Sequence, residues 1–314
     1  MNNRLSICMT TYNRSEILDD VLYHIIGIIE KYDIAIYISD NNSTDQTSVI
    51  LEKHKNNYKY LFYNINSINQ GFDRNFEIVM NMSNSDYIWT MGDYSFIEYN
   101  SIEQLLNLLN NEEFDAIFLN NYTRVLNQPS KIYNDSKNIM KEIAWHVTIL
   151  DSMVWNKKIL GNSNFSRFYN TMFAYYGVMF EYLAKDNIKV YWDSNSYIKD
   201  AHPKKNSLYI KDTFEVWLKN WSNLILSLPV YYTYDIKLFL IREHGIKSGL
   251  LSIKRLLVLR KEKILNLKVL YKISTYLKMS LGEYIFRVFI ISTIPSCILP
   301  VKLAKKFISN IKKD

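Results

Sequence analysis

The first 120 residues predict an α/β fold of parallel βαβ units, and the end of the 314-residue chain predicts a basic helical region. Three observations carry this reading. Short apolar runs alternate with amphipathic helical runs five times before Asn120, the pattern of strands joined by crossover helices. Each of the first four strands ends in a cluster of small polar residues. From about Asn206 the pattern turns long and helical, with no clear strand.

Arg4–Met9 is the first strand, and Ser15–Tyr32 follows as a helix. Ile17, Val21, Ile25 and Ile28, with Leu18, Leu22, Ile26 and Ile29, form one wide apolar stripe at helical spacing, and Ser15 is placed to cap it. Ile34–Ile38 is the second strand, followed by the polar loop Ser39–Asp45 and a helix to about His54. Tyr58–Tyr63 is the third strand, with Asn64–Gly71 as its polar exit, and Phe72–Met82 is a helix with Phe72, Phe76, Val79 and Met80 inward. Tyr87–Met91 reads as a buried fourth strand; Gly92 ends it and Asp93 follows at once. Ser101–Asn110 is the next helix and Asp115–Leu119 the fifth strand. Asn121–Asn138 is polar and turn-rich. Beyond it, Ile149–Trp155 predicts a strand, Arg167–Lys185 a helix and Ile188–Trp192 another strand. With neither internal repeats nor a low-complexity linker, the division falls near Asp200–Asn206. It gives a domain over 1–205 and a helical basic region over 206–314.

Composition bounds the rest. An apolar content of 48% is ordinary for a globular protein, and the length is ample for a full core. Cys8 and Cys297 are too few and too distant for a disulfide framework, and the apolar run in MNNRLSICMTTYN is too short for a signal peptide. The expectation is a reduced, cytoplasmic protein. The net charge of +7 is uneven: Arg242–Asp314 carries 16 Lys/Arg against 4 Asp/Glu, or +12, which leaves −5 on the remainder. Such an end suits an anionic membrane surface. Its basic residues alternate with Leu and Ile rather than with stacking aromatics, so nucleic acid is not the expected partner. The uncharged run Val288–Val301 contains Pro295 and Pro300 and falls short of the roughly 20 residues a spanning helix needs. Amphipathic helices lying in the headgroup region fit better, with packing of the tail into a homo-oligomer as the alternative.

The chemistry-bearing residues sit at the strand ends. They are Thr10-Thr11-Tyr12-Asn13-Arg14, Asp40-Asn41-Asn42-Ser43, Asn69-Gln70-Gly71 and Gly92-Asp93. In a parallel sheet the carboxyl ends of the strands line one edge and share a cleft. Asp40 can accept from a base N–H, and Thr11 and Asn42 can bond a ribose. Gly71 allows close backbone approach, and the helix after it, carrying Asn75, turns its N-terminus to the cleft, where phosphate is favoured. A carboxylate just past a strand end, as at Asp93, is placed to meet a ligand directly or through a divalent cation. Asp151 stands in the apolar run TILDSMVW, where burial is costly without a purpose or a partner.

The succession SICMTTYNR, ISDNNSTDQT, NQGFDRNF and DYIWTMGDYS, in that order, resembles the inverting GT-A glycosyltransferases of family 2, especially bacterial surface-polysaccharide enzymes. The resemblance implies a GT-A-like three-layer α/β/α sandwich around a mostly parallel mixed sheet. It also implies a sugar moved from a nucleotide-sugar, UDP-linked at first guess, to a cell-surface polysaccharide or lipid-linked glycan at the inner face of the cell membrane. By the same carry-over Thr11, Tyr12 and Arg14 flank the nucleotide, Asp40 reads the base, and Asn69, Gly71 and Asn75 line the cleft. Asp93 matches the first carboxylate of the family's D-x-D motif. Here the motif reads Asp93-Tyr94-Ser95, so a Mg²⁺ or Mn²⁺ would rely on Asp93, the Ser95 hydroxyl, the diphosphate and His202. The places of the family's Glu-Asp pair hold Tyr175 and Tyr176. Base candidates are then Asp151, Glu181, His146 and Asp186, with Asp151 preferred. These two departures keep open a non-catalytic glycan- or nucleotide-binding relative. A nucleotidyltransferase is a third reading, although Thr10–Arg14 lacks the glycine-rich loop it expects.

Overall fold

The computed structural model describes residues 2–202, 212–281 and 285–296. The chain divides into two compact units, Met1–Ile139 with His146–His202, and Met140–Trp145 with Pro203–Asp314. Of the stretch expected to hold the division, residues 203–206 lie outside the described residues, as do Cys297 and Pro300.

The strands are β1 (Asn2–Thr11), β2 (Ile34–Asp40), β3 (Leu61–Ile65), β4 (Tyr87–Gly92), β5 (Ser95–Ile97), β6 (Ala116–Leu119), β7 (Lys131–Tyr133), β8 (Met153–Asn156), β9 (Val190–Asp193) and β10 (Ile198–Ala201). Between them run α1 (Ser15–Ile29), α2 (Thr47–Asn57), α3 (Phe72–Met82), α4 (Ser101–Asn111), α5 (Ser136–Glu142) and α6 (Ala174–Tyr182). The main sheet has the order β3-β2-β1-β4-β8-β6-β9-β7, and β10 pairs with β5 in a small antiparallel sheet. Strands β1 to β4 are mutually parallel where they pair. Strand β8 is antiparallel to both β4 and β6, while β6 is parallel to β9. Two reversals cancel, so β6 and β9 point the same way as β1–β4, and their carboxyl ends share one edge. This is the mostly parallel mixed sheet of a GT-A-like fold.

Packing, not propensity, holds α1. Its sequence SEILDDVLYHIIGII is rich in isoleucine and contains a glycine, each costing a few tenths to about 1 kcal/mol of helix propensity relative to alanine. Seven of its residues are buried, among them Leu18, Val21, Leu22, Ile25 and Ile29 at 0% exposure. Full burial of each such side chain is worth about 1.5–3 kcal/mol, which outweighs the propensity loss. They join Ile7, Ile36, Ile38 and Trp89 of the sheet in one core.

Three expectations are corrected. Ser15 does not cap α1; the Asp45 carboxylate accepts its backbone N–H (2.9 Å) and also that of Thr47 (3.0 Å), so one side chain starts both α1 and α2. The expected strand at Ile149 begins only at Met153, because Leu150–Ser152 form a 3-10 turn that swings Asp151 inward. The helix expected over Arg167–Lys185 is a short 3-10 turn, Phe165–Phe168, then a loop, then α6. Asn170 and Met172 take left-handed φ of 64° and 70°. Buried Asp73 on α3 accepts the N–H groups of Thr171, Met172 and Ala174 at 3.0 Å each, donors that a continuous helix would have used internally.

In the second unit a wide-turned segment, Glu215–Asn220, runs into α7 (Trp221–Ser227), followed by α8 (Tyr234–Lys247), α9 (Ile253–Lys261), α10 (Leu267–Leu281) and α11 (Ile285–Thr293). Phe214, Leu218, Leu256, Leu259, Leu277 and Val288 belong to its apolar core. Basic residues here serve as caps: Arg260 Nε donates to the Ile294 carbonyl (2.6 Å) and Lys261 Nζ to that of Ser296 (3.2 Å). The outer faces of α10 and α11 expose Leu267, Tyr271, Phe286, Phe289 and Ile290. Among the described residues, no helix is long and apolar enough to cross a membrane.

Candidate functional site

The strand register sets the first contacts. Thr11 lies opposite Asp40 across β1 and β2, and Thr10 opposite Gly92 across β1 and β4. The polar ends of β1, β2 and β4 are therefore adjacent, and the backbone N–H of Asn41 donates to the Thr11 carbonyl (3.0 Å) to close the β1–β2 side.

At the β4 end, Asp93 is 3% exposed and both of its oxygens are engaged. The Thr11 hydroxyl donates to Oδ2 (2.8 Å), and Arg14 Nη1 donates to Oδ1 (2.5 Å). The guanidinium also lies over the Tyr94 ring, 5.6 Å from its centroid. Gly92 makes room for that ring: a Cβ there would meet it at 2.8 Å. The Asp93 turn is fixed from below by Asp151, which is fully buried. Its Oδ1 accepts the Gly92 N–H (2.5 Å), and its Oδ2 accepts the hydroxyls of Ser95 (2.8 Å) and Tyr122 (3.3 Å). Burial, together with the neighbouring Asp151 charge, pushes the Tyr122 hydroxyl up, so it stays a protonated donor.

At the β2 end, Asp40 Oδ1 accepts from the Ser43 N–H (3.1 Å) and hydroxyl (2.5 Å). Burial raises its carboxyl above the ordinary aspartate value, against the pull of those bonds. The left-handed Asn13 (φ 52°) and Asn42 (φ 66°) bend the two loops together: the Asn13 N–H donates to Ser43 Oγ (2.8 Å), and the Thr44 N–H to Asn13 Oδ1 (2.7 Å). Tyr12 is 42% exposed on the same loop.

A network of amides joins β2 to the α3 N-terminus. Asn75 on α3 accepts from the Ser39 hydroxyl (2.6 Å) and from Asn66 Nδ2 (2.8 Å), and donates to the Ser39 carbonyl (2.9 Å). Asn41 donates to Asn69 Oδ1 (2.9 Å) and accepts the Gln70 N–H (2.8 Å). Asn69 in turn accepts the Gly71 N–H (2.9 Å). Gly71 has φ 77°, a conformation natural to glycine, and from there α3 starts.

Thr11, Arg14 and Asp93 are thus in direct contact, and Asp40, Asn69, Gly71 and Asn75 lie along the same edge. Of two other expected residues, Glu181 lies apart, while His202 adjoins the Tyr94–Ser95 turn with its side chain directed to Asp20. Glu181, on α6, is ion-paired with Arg167. His202 is buried with Nε2 2.9 Å from Asp20 Oδ2, and its backbone N–H donates to the Tyr94 carbonyl (2.6 Å). His146, fully buried, is held neutral: burial lowers its imidazole to about 3. Asn41 and Ser43 belong to the strand-end cluster legible in sequence, whereas Ser39, Asn66 and Tyr122 are additions from the structure; for Ser39 and Asn66 the sequence signal is their place in the polar loops after β2 and β3.

A divalent cation needs hard oxygen ligands turned to one point. Here Asp93 holds a guanidinium, Ser95 is fully buried and donates to Asp151, and His202 is turned to Asp20. Two unit charges 4 Å apart interact by about 4 kcal/mol at an effective dielectric of 20, and a dication doubles that against Arg14. The three residues do not fit a cation as arranged. Among the described residues no group of three or more His, Cys, Asp or Glu converges to hold one.

A mixed sheet whose parallel strands bring polar loops to one edge, with a helix N-terminus beside them, defines a GT-A-like domain. The profile of glycosyl transferase family 2 matches residues 6–178, more than half of the chain, and the chain belongs to that family. Over 111 residues it is 39% identical to the abequosyltransferase RfbV of Salmonella typhimurium, a stretch covering 34% of this chain and 33% of the relative. The match thus spans about a third of that curated protein. The crystal structure of S. aureus TarS 1-349 in complex with UDP is similar with a TM-score of 0.61 and 13% identity, over 98% of this chain and 89% of that one. The mannosyltransferase PcManGT of Pyrobaculum calidifontis, in complex with GDP-Man and Mn²⁺, gives a TM-score of 0.55 and 10% identity, over 92% and 87%. At these identities the likeness to the solved structures is one of fold.

Proposed function

We propose that the chain is an inverting glycosyltransferase that moves a sugar from a nucleotide-sugar, UDP-linked as the first choice, to a cell-surface polysaccharide or lipid-linked glycan. The observation that carries this is the direct contact of Thr11 and Arg14 with Asp93 on the sheet edge that also carries Asp40 and Asn75. The UDP held by TarS and the sugar transfer named for RfbV support it. Asp40 and Asn42 face the base and ribose, and the N-terminus of α3 after Gly71 favours the diphosphate. The acceptor hydroxyl attacks the anomeric carbon from the side opposite the departing diphosphate and gives up its proton to solvent water, the C–O bond to the diphosphate breaks, and the configuration is inverted. Asp151, with both oxygens spent on the Asp93 turn, is assigned a positioning role.

The test is nucleotide release from a panel of UDP-, GDP- and CDP-sugars, with and without a lipid-linked acceptor, and the anomeric configuration of the product read by NMR. Acceptor-dependent release of one nucleotide is expected. Tight donor binding with no release would favour the second reading, a non-catalytic binder, which the engagement of Asp151 and Glu181 supports.

The exposed apolar residues of α10 and α11 share those helices with Lys268, Lys272, Lys278 and Arg287, the pattern of a helix pair lying on an anionic leaflet. Each basic residue there contributes about 1 kcal/mol. We assign the second unit to peripheral contact with the inner face of the cell membrane. Flotation with phosphatidylglycerol vesicles, lost on Phe286→Asp with Phe289→Asp and weak with phosphatidylcholine alone, is the expected result. Equal flotation of the double variant removes the assignment.

A further inference from the structure

We propose that Arg14 stands where a divalent cation would otherwise act: its guanidinium, held by Asp93, binds the donor diphosphate, and donor binding needs no metal. The proposal rests on reading the cleft as a nucleotide-sugar site. It begins with the state of Asp93. One oxygen accepts the Thr11 hydroxyl (2.8 Å) and the other accepts Arg14 Nη1 (2.5 Å), so a cation on this carboxylate would stand against the charge of the guanidinium. The other groups that would complete a cation shell are committed elsewhere, Ser95 to Asp151 and His202 to Asp20.

The pair is also layered in the sense the proposal needs. The Arg14 side chain keeps 15% of its surface in solvent against 5% for Asp93, so the positive group is the more accessible one. Tyr94 lies under the guanidinium, and Gly92 lacks the Cβ that would push the ring away. A bare Asp93 would repel a diphosphate. With Arg14 paired to it, Asp93 instead sits beside a planar, permanently charged guanidinium, the group best matched to phosphate oxygens. Asp93 is then a positioning residue, and Arg14 is the group that touches the donor.

The experiment is isothermal titration of the full chain with UDP and with GDP, each in EDTA and in MnCl₂, for wild type, Arg14→Ala, Arg14→Lys and Asp93→Asn, with thermal unfolding to confirm that each variant is folded. The expected result is wild-type affinity for one nucleotide that changes less than about twofold between EDTA and MnCl₂. Loss of one partner of a buried charge contact predicts a drop of roughly 100-fold for Arg14→Ala, not restored by MnCl₂. Arg14→Lys should lose less, because the charge stays while the fork is lost. Binding that vanishes in EDTA, or an Arg14→Ala variant that binds as wild type, overturns the proposal and leaves the nucleotide site standing. Wild type that binds neither nucleotide in either buffer overturns the site reading and the proposal with it.

Discussion

Replacing Asp151 by alanine is expected to lower the stability of the chain by about 3–5 kcal/mol and to weaken donor binding together with any transfer. The buried Gly92 N–H loses its acceptor and cannot turn elsewhere, and the Ser95 and Tyr122 hydroxyls lose theirs. A buried donor left unsatisfied costs about 1–3 kcal/mol. Asp151→Asn separates a positioning role from that of a general base. An amide has one oxygen to offer where the carboxylate has two, so either the Gly92 N–H or the Ser95 and Tyr122 hydroxyls then face an NH₂ group. Urea unfolding should show an intermediate loss, and calorimetry a weaker donor Kd. A variant that is as stable as wild type, binds the donor equally and loses only kcat would make Asp151 the base instead.

Asp73→Ala carries the second large effect, also about 3–5 kcal/mol, since three backbone N–H groups of the 171–174 loop are deprived at once. Asp73 adds a pH signature. Burial raises its carboxyl above 3.8, although backbone bonds pull the other way. A folded-state value above the unfolded one means that the native state binds the proton more tightly. The contribution is therefore present below 3.8 and is lost as pH rises through the raised value. Asp73→Asn removes the titration. Its stability relative to wild type should climb as pH rises from 3.8 through that value and then level off, as read by urea unfolding at a series of pH values. A constant difference would show that Asp73 titrates alike in both states.

The first half of the fold was readable because its signals are local. Strands at Arg4–Met9 and Ile34–Ile38, and the stripe of α1, each declare themselves within a dozen residues. The strand ends carrying Thr11, Asp40, Asn69 and Asp93 were readable for the same reason. What bonds to what was not. Arg14 and Asp93 are 79 residues apart, and nothing in either neighbourhood reports the other. The loop before α6 was misread as helix because the tie that opens it, Asp73, lies 98 residues upstream of Thr171. Strands β5 and β10 pair only with each other and are too short to show a period. Asp151 stands out in its apolar run, and it is buried, but its partners depend on the register of β8 on β4, which no local pattern encodes.

That register has a consequence for how the protein comes into being. Trp89 pairs with Val154, and continuing the antiparallel ladder carries Gly92 to Asp151, 59 positions later in the chain. During synthesis the first four strands can therefore gather well before the turn that bears Asp93 has its floor. Contacts so distant in sequence are the slow ones to form. A ribosome halted before residue 150 would leave β1–β4 able to pair, but β8, which joins β4 to β6, would be absent and the turn at Asp93 would lack its support.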